Sequence, residues 1–256
     1  MSHVDLDWPA AGVARLTIDN LARRNALDWA ILDALAETVP GLDARCLILR
    51  GAGTAFCSGY DLASFDPEQP FEAQAERLVA HPRTAALDAI AAAPMPTIAA
   101  IEGFAIGGGL ELATVCDFRL ASADSRFSMP PARLGIVYSH RGIGRLLELV
   151  GPARTREMLL LGASVEAATA ARWGLVTEVA GPGALEAAAL AMAERAAALP
   201  AAAVAGNKQV LEQLLEARRQ LDGERESKLL ELRRRSFSAP ELRAAAASHG
   251  RSRKRG

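Results

Sequence analysis

Half of the 256 residues are hydrophobic, enough for one large domain with a sizeable buried core, so the composition excludes a disordered chain. The 29 basic and 30 acidic residues nearly cancel and leave a formal charge of −1. That balance excludes a body built around nucleic acid or an anionic membrane surface, and neither partner is expected.

The amino terminus, Met1-Ser2-His3-Val4-Asp5-Leu6-Asp7, is acidic and lacks the basic-then-apolar order of a signal peptide. Cys46, Cys57 and Cys116 are odd in number and have no C-x-x-C spacing, which suits a reducing, cytoplasmic location. Val13 to Ile18 alternates and predicts a strand, and the short apolar runs Cys46 to Leu49 and Thr97 to Ile101 suit buried strands. Between them, Leu27, Ile31, Leu35 and Val39 recur four apart and predict a helix over Asn25 to Val39. A second helix is predicted over Glu72 to Ala92, ending before Pro94 and Pro96. A further helix should begin at the glycines of Gly103 to Asp117, followed by strands at Asp117 to Leu120 and Val176 to Val179. Strands alternating with helices predict an α/β fold.

From Ala184 onward the pattern is helical only, with helices over Lys208 to Leu221 and Glu224 to Phe237. A boundary near Gly181-Pro182-Gly183 divides a core, 1–183, from a helical region, 184–256. The Ala-rich run from Ala184 to Ala205 is interrupted by Glu186, Glu194, Arg195 and Pro200, so it reads as soluble helix and not as a membrane span. The apolar faces of this region suit a second layer on the core or an oligomer interface. The basic tail Arg251 to Arg255 reads as a solvated terminus or as a phosphate-contacting tail.

Two glycine-bearing loops are candidates for chemistry. GFAIGGGLELATVCD, Gly103 to Asp117, fits neither phosphate-binding glycine spacing. Glycines after a strand and before a helix instead let a ligand approach backbone N–H groups that point out of the helix end, which makes Gly107 a candidate binding position. Glu111 then falls in the first helical turn, either as a carboxylate favoured by the helix end or as an acid/base beside an anion site. The second loop, Gly51 to Leu62, contains FCSGYDL. Its residues read as an ordinary strand-to-helix turn or as further backbone donors, and a nucleophilic Cys57 or Ser58 would need a distant base such as His140. His3, His81, His140 and His249 show no ligand spacing, so no metal is expected.

These loops, with Arg24-Asn25-Ala26-Leu27, Phe127 to Gly135 and Ala170-Ala171-Arg172-Trp173-Gly174-Leu175-Val176, make the chain resemble the crotonase superfamily, the enoyl-CoA hydratase/isomerase family, over nearly its full length. The resemblance implies a repeated ββα superhelix with C-terminal helices that build homotrimers or hexamers, and an acyl-CoA thioester substrate with no separate cofactor. It implies an oxyanion hole from the backbone N–H groups of Ser58 and Gly108, which would stabilise an enolate. It further places Ser58, Gly59, Tyr60 and Asp61 near bound CoA, Arg23 and Arg24 near its phosphates, and Glu111 at one of the two glutamates used by hydratases.

The second glutamate falls at Pro131, which cannot transfer a proton. The F-S-M-x-P-x-x-L-G-x-x-Y order from Phe127 to Tyr138 resembles the methylmalonyl-CoA decarboxylase branch, whose matching tyrosine lies in the pocket and which has histidine at Tyr60. Tyr138 also reads as an amphipathic residue at a pocket edge. Arg141 is a candidate partner for a substrate carboxylate. Three functions therefore stand as expectations: an enoyl-CoA hydratase/isomerase with Glu111 as principal acid/base, an acyl-CoA decarboxylase, and a non-catalytic acyl-CoA or RNA-binding relative.

Overall fold

The computed structural model describes residues 2–62, 69–70, 73–74 and 85–244. The main sheet has six strands, β1 (His3–Ala10), β2 (Val13–Asp19), β3 (Cys46–Gly51), β4 (Thr97–Ile101), β6 (Phe118–Ser122) and β9 (Glu178–Ala180), adjacent in that order. β1 and β2 form an antiparallel hairpin, and the remaining neighbours are parallel. Interior parallel strands are covered on both faces, which explains why β4 is buried at all five positions and why its sequence is a continuous apolar run.

A second sheet of three short strands, β5 (Phe104–Ile106), β7 (Arg126–Ser128) and β8 (Ser164–Glu166), lies beside the first. β4 leads into β5 and then into helix α2 (Gly108–Thr114). β6 leads into β7 and then into helix α3 (His140–Leu160). The expected ββα repeat is thus present, and an isolated bridge between Cys57 and Ala105 carries the small sheet back toward the loop after β3.

Helix α1 (Trp29–Thr38) starts later than its apolar period predicts. The Asp28 carboxylate accepts from the Ile31 amide at 3.1 Å and caps it, leaving Asn25 to Leu27 as loop. Of the helix predicted over Glu72 to Ala92, residues 85–92 are helical and most of the rest lies outside the described residues. The apolar residues of α1 and of the segment 85–92 pack with the sheets, α2 and α3 in the larger core.

After β8 and α4 (Ala167–Arg172), helix α5 (Leu185–Ala197) buries Leu185, Ala189 and Ala193 against Ile48, Ile98 and Leu120 on the other sheet face. Each fully buried aliphatic side chain contributes roughly 1.5–3 kcal/mol. The division at residue 183 is therefore not a spatial one: α5 is a layer of the core. Helices α6 (Ala201–Arg219) and α7 (Gly223–Ser236) bury no residue fully. Across Pro200, α5 and α6 turn through 104°, and no single helix among the described residues is long and apolar enough to cross a membrane. The basic tail lies outside the described residues.

Candidate functional site: a buried carboxylate between two loops

Helix α2 is buried along its whole length, and Glu111 within it is 1% exposed. Its C-terminal end is held by Arg119, which donates to the Cys116 carbonyl and, from the other side of the guanidinium, to the Leu175 carbonyl, each at 2.7 Å. Charge-assisted bonds to the last carbonyls of a helix suit a cation. The Arg of the D-F-R-L stretch thus anchors the helix that carries the carboxylate.

Three hydroxyls converge on Glu111. Tyr138 Oη donates to Oε2 at 2.6 Å, Ser139 Oγ donates to Oε1 at 3.1 Å, and Tyr60 Oη lies 3.5 Å from Oε2, at the weak edge of bonding distance. A carboxylate offers about four lone-pair sites, so these donors orient Glu111 without exhausting it. Ser139 is also the N-cap of α3, accepting from the Gly142 amide at 3.0 Å, so one residue ties the carboxylate to a helix end. Ser139 was not among the sequence candidates. Its signal was the capping pattern that starts α3, which by itself says nothing of what the hydroxyl faces.

Close approach explains two glycines. A β-carbon at Gly142 would lie 2.5 Å from Glu111 Oε1, and one at Gly108 would lie 2.5 Å from the Tyr60 ring. The Tyr60 ring therefore rests on Gly108, at the start of α2. Gly107 precedes it, donating to the Ser128 carbonyl and accepting from the Glu111 amide.

The loop 56–62 is held by parallel bridges on both sides, Cys57 with Ala105 and Tyr60 with Leu27. Leu27 N–H donates to the Gly59 carbonyl, and Asp61 N–H donates to the Leu27 carbonyl. Successive residues of an extended chain point their amides to opposite sides. Gly59 and Asp61 face Leu27, and the amide of Tyr60 between them faces the other way. Ser58 differs from expectation: its N–H donates to the Arg24 carbonyl at 3.1 Å and its hydroxyl to the Arg23 carbonyl at 2.9 Å. Both donors hold the 23–24 turn, so the amide expected to polarise a ligand is engaged with the chain.

The same turn is organised by Asn25, fully buried, whose amide nitrogen donates to the carbonyls of Ala52 and Ala55 and whose oxygen accepts from the Asn20 amide. Arg23, Arg24, Ser58, Tyr60, Asp61 and Phe104 line a groove of about 750 Å³. The Arg24 guanidinium lies 5.9 Å over the Phe104 ring.

Other candidates are placed elsewhere. Pro131 is buried in a 3-10 turn, Pro131–Leu134, and brings no titratable group. Arg141 pairs with Asp88 and Glu216 and His140 with Glu226, so neither is committed to Glu111 or to Cys57. Burial pushes the Cys57 thiol up to about 12, which removes the thiolate a nucleophile needs. Among the described residues the one cluster with ion-binding spacing is His3, Asp5 and Asp19, at the sheet edge and remote in sequence from this site.

Residues 9–240 match the Enoyl-CoA hydratase/isomerase family. A Mycobacterium leprae protein named Probable enoyl-CoA hydratase echA6 is 36% identical over 179 residues, covering 66% of this chain and 68% of that one. The crystal structure of an enoyl-CoA hydratase/carnithine racemase from Magnetospirillum magneticum shares 34% identity, with a TM-score of 0.76 over 84% of this chain and 81% of that one. A methylmalonyl-CoA decarboxylase in complex with 2-nitronate-propionyl-CoA superposes at a TM-score of 0.86 over 98% of this chain and 96% of that one, and at 23% identity it shows the shared fold alone. With the ββα repeat, the two glycine loops and the buried Glu111 in place, the chain belongs to the enoyl-CoA hydratase/isomerase family, the crotonase superfamily of acyl-CoA-processing enzymes.

Proposed function

We propose that the protein processes an acyl-CoA thioester through an enolate, with Glu111 as its single carboxylate acid/base, and that proton transfer of the enoyl-CoA isomerase type describes it best. The observation that carries this reading is the buried Glu111, oriented by Tyr138 and Ser139, together with proline at position 131. Hydration assisted by two carboxylates needs a second proton-transferring group, whereas moving a proton between two carbons of one substrate needs one base.

The thioester oxygen is assigned to the backbone N–H groups of Tyr60 and Gly108. The Tyr60 amide is turned away from Leu27, and the Tyr60 ring sits over Gly108. Two preorganised donors at a developing oxyanion supply the electrostatic stabilisation, and losing one typically costs about 2.7–4 kcal/mol. The groove beside Arg23 and Arg24 is assigned to CoA, with the guanidinium groups toward its phosphates.

A second reading is decarboxylation. It is favoured by the Tyr138–Glu111 bond of 2.6 Å, since a tyrosine held beside the reacting centre can orient a departing carboxylate while the same amide pair stabilises the enolate. A panel of crotonyl-, 3-enoyl- and methylmalonyl-CoA, with products separated by HPLC, decides between them. Isomerisation abolished by Glu111→Gln supports the first reading. CO₂ release that survives Glu111→Gln and fails in Tyr138→Phe replaces it with the second, and binding of every thioester without turnover leaves the non-catalytic one.

Assembly as a trimer, or a hexamer of paired trimers, is part of the proposal. Val210, Leu211 and Leu214 on α6 and Leu229, Leu230 and Leu232 on α7 are exposed, an apolar area suited to a second copy. A monomer in light scattering at micromolar concentration contradicts it.

A further inference from the structure

Helices α2 and α3 meet where Gly142 packs against the Glu111 carboxylate. One turn further along each helix, Thr114 and Arg145 line a common cavity of about 480 Å³. Residues three apart share a helix face, so Arg145 continues on α3 the line that Gly142 begins. It also lines a neighbouring space of about 520 Å³ between α3, α6 and the helical segment 85–92.

The other cations on these walls are committed. Arg141 pairs with Asp88 and Glu216, Lys208 with Asp117, Arg219 with Glu148, Glu212 and Glu216, and Arg119 holds backbone carbonyls. Arg145 makes no ion pair among the described residues. Among the described residues, five carboxylates and five cations line the two cavities together, so their charges balance. Glu111, behind them, is a sixth carboxylate, and a buried charge without compensation is expensive.

We propose that Arg145 is the counter-charge of Glu111, a positioning residue that acts across the α2–α3 packing to keep the reacting carboxylate ionised and therefore a base. Arg145 acts through Glu111 and not on substrate, and the proposal rests on Glu111 being the reacting group. Burial of Arg145 disfavours its charge, and the leading opposing influence is the attraction of Glu111. Arg219, Arg141 and Asp88 also face it from α6, α3 and the segment 85–92. Facing Glu111 itself are the Tyr60, Tyr138 and Ser139 hydroxyls. These donors favour the carboxylate form, and the nearby cation adds a preference that does not depend on hydroxyl orientation.

The test is a substrate-free titration of the Glu111 carboxyl by infrared difference spectroscopy, using Glu111→Gln as the spectral reference. Arg145→Met is expected to raise the midpoint by about one pH unit, making the group about tenfold more protonated at a given pH above both midpoints. Arg145→Lys is expected to restore it to within about 0.3 unit. An unmoved midpoint in Arg145→Met, or equal shifts in the Met and Lys variants, overturns the proposal by showing that Arg145 only packs. If Arg145→Met does not fold, Arg145→Gln replaces it, and the wild type decides on its own: a Glu111 still protonated at pH 7 refutes the assignment. Because no thioester is involved, failure of the thioester panel leaves this result standing and the two readings are separable.

Discussion

Gly142→Ala is the most economical challenge to the site, because it adds one carbon and removes no polar group. The new β-carbon would meet Glu111 Oε1 at 2.5 Å, Tyr138 Cε1 at 2.8 Å and Ser139 Oγ at 2.9 Å. Ordinary contact begins at 3.4 Å, so the carboxylate must retreat by about 0.9 Å or the first turn of α3 must shift. Alanine in a helix gains about 1 kcal/mol over glycine. Overpacking a dense interior costs about 1–3 kcal/mol, and breaking the Ser139–Glu111 bond adds about 1.5–3 kcal/mol for a charged acceptor. The net expectation is destabilisation of about 1.5–5 kcal/mol, with turnover reduced on the order of 100-fold, since a displacement of about 1 Å at a reacting group has that cost. Urea denaturation measures the first and the thioester panel the second. A variant with native turnover and native stability would show that Gly142 does not seat the carboxylate, and the site geometry derived above would be wrong.

Three further outcomes are expected. Lys208→Met should destabilise the fold by about 3 kcal/mol, because it strips the cation from the largely buried Asp117 and loosens α6 from the end of β4; an unchanged urea midpoint would contradict this. Asn25→Ala should cost about 2–4 kcal/mol and weaken acyl-CoA binding in isothermal titration, since the buried carbonyls of Ala52 and Ala55 lose their donor while the 23–26 turn loses its clamp; binding at native affinity would separate that turn from the CoA groove. Burial pushes the thiols of Cys46, Cys57 and Cys116 each up to about 12, against an ordinary value of 9.0. An unfolded chain ionises first, so this contribution to stability is complete below about pH 9 and declines as pH rises toward 12. Alkylation of any of the three in the native protein at pH 8, read by mass spectrometry, would refute their burial.

Much of the scaffold is legible in the sequence because burial on both faces leaves a local trace. Thr97 to Ile101 coincides with β4, and Cys46 to Leu49 lies within β3. The small sheet leaves no such trace, since its strands are three residues long and both of its pairings join segments distant in sequence. α1 illustrates competition between signals: the apolar period begins at Leu27, but Asp28 captures the Ile31 amide in the first turn and sets the start.

The site divides in the same way. The sequence by itself determines that two glycine loops and one carboxylate, Glu111, are available, that a second acid is missing at Pro131, and which family these motifs resemble. Tertiary structure decides which groups meet. Tyr138 and Ser139, 27 and 28 positions away, converge on Glu111 because α3 packs on α2 through Gly142. It decides also that Ser58 turns its amide to Arg24 while Tyr60 faces away from Leu27, a choice set by the bridge register with segment 20–27. Residue type specifies what a group can donate or accept, and only the register of packed elements specifies what it is aimed at.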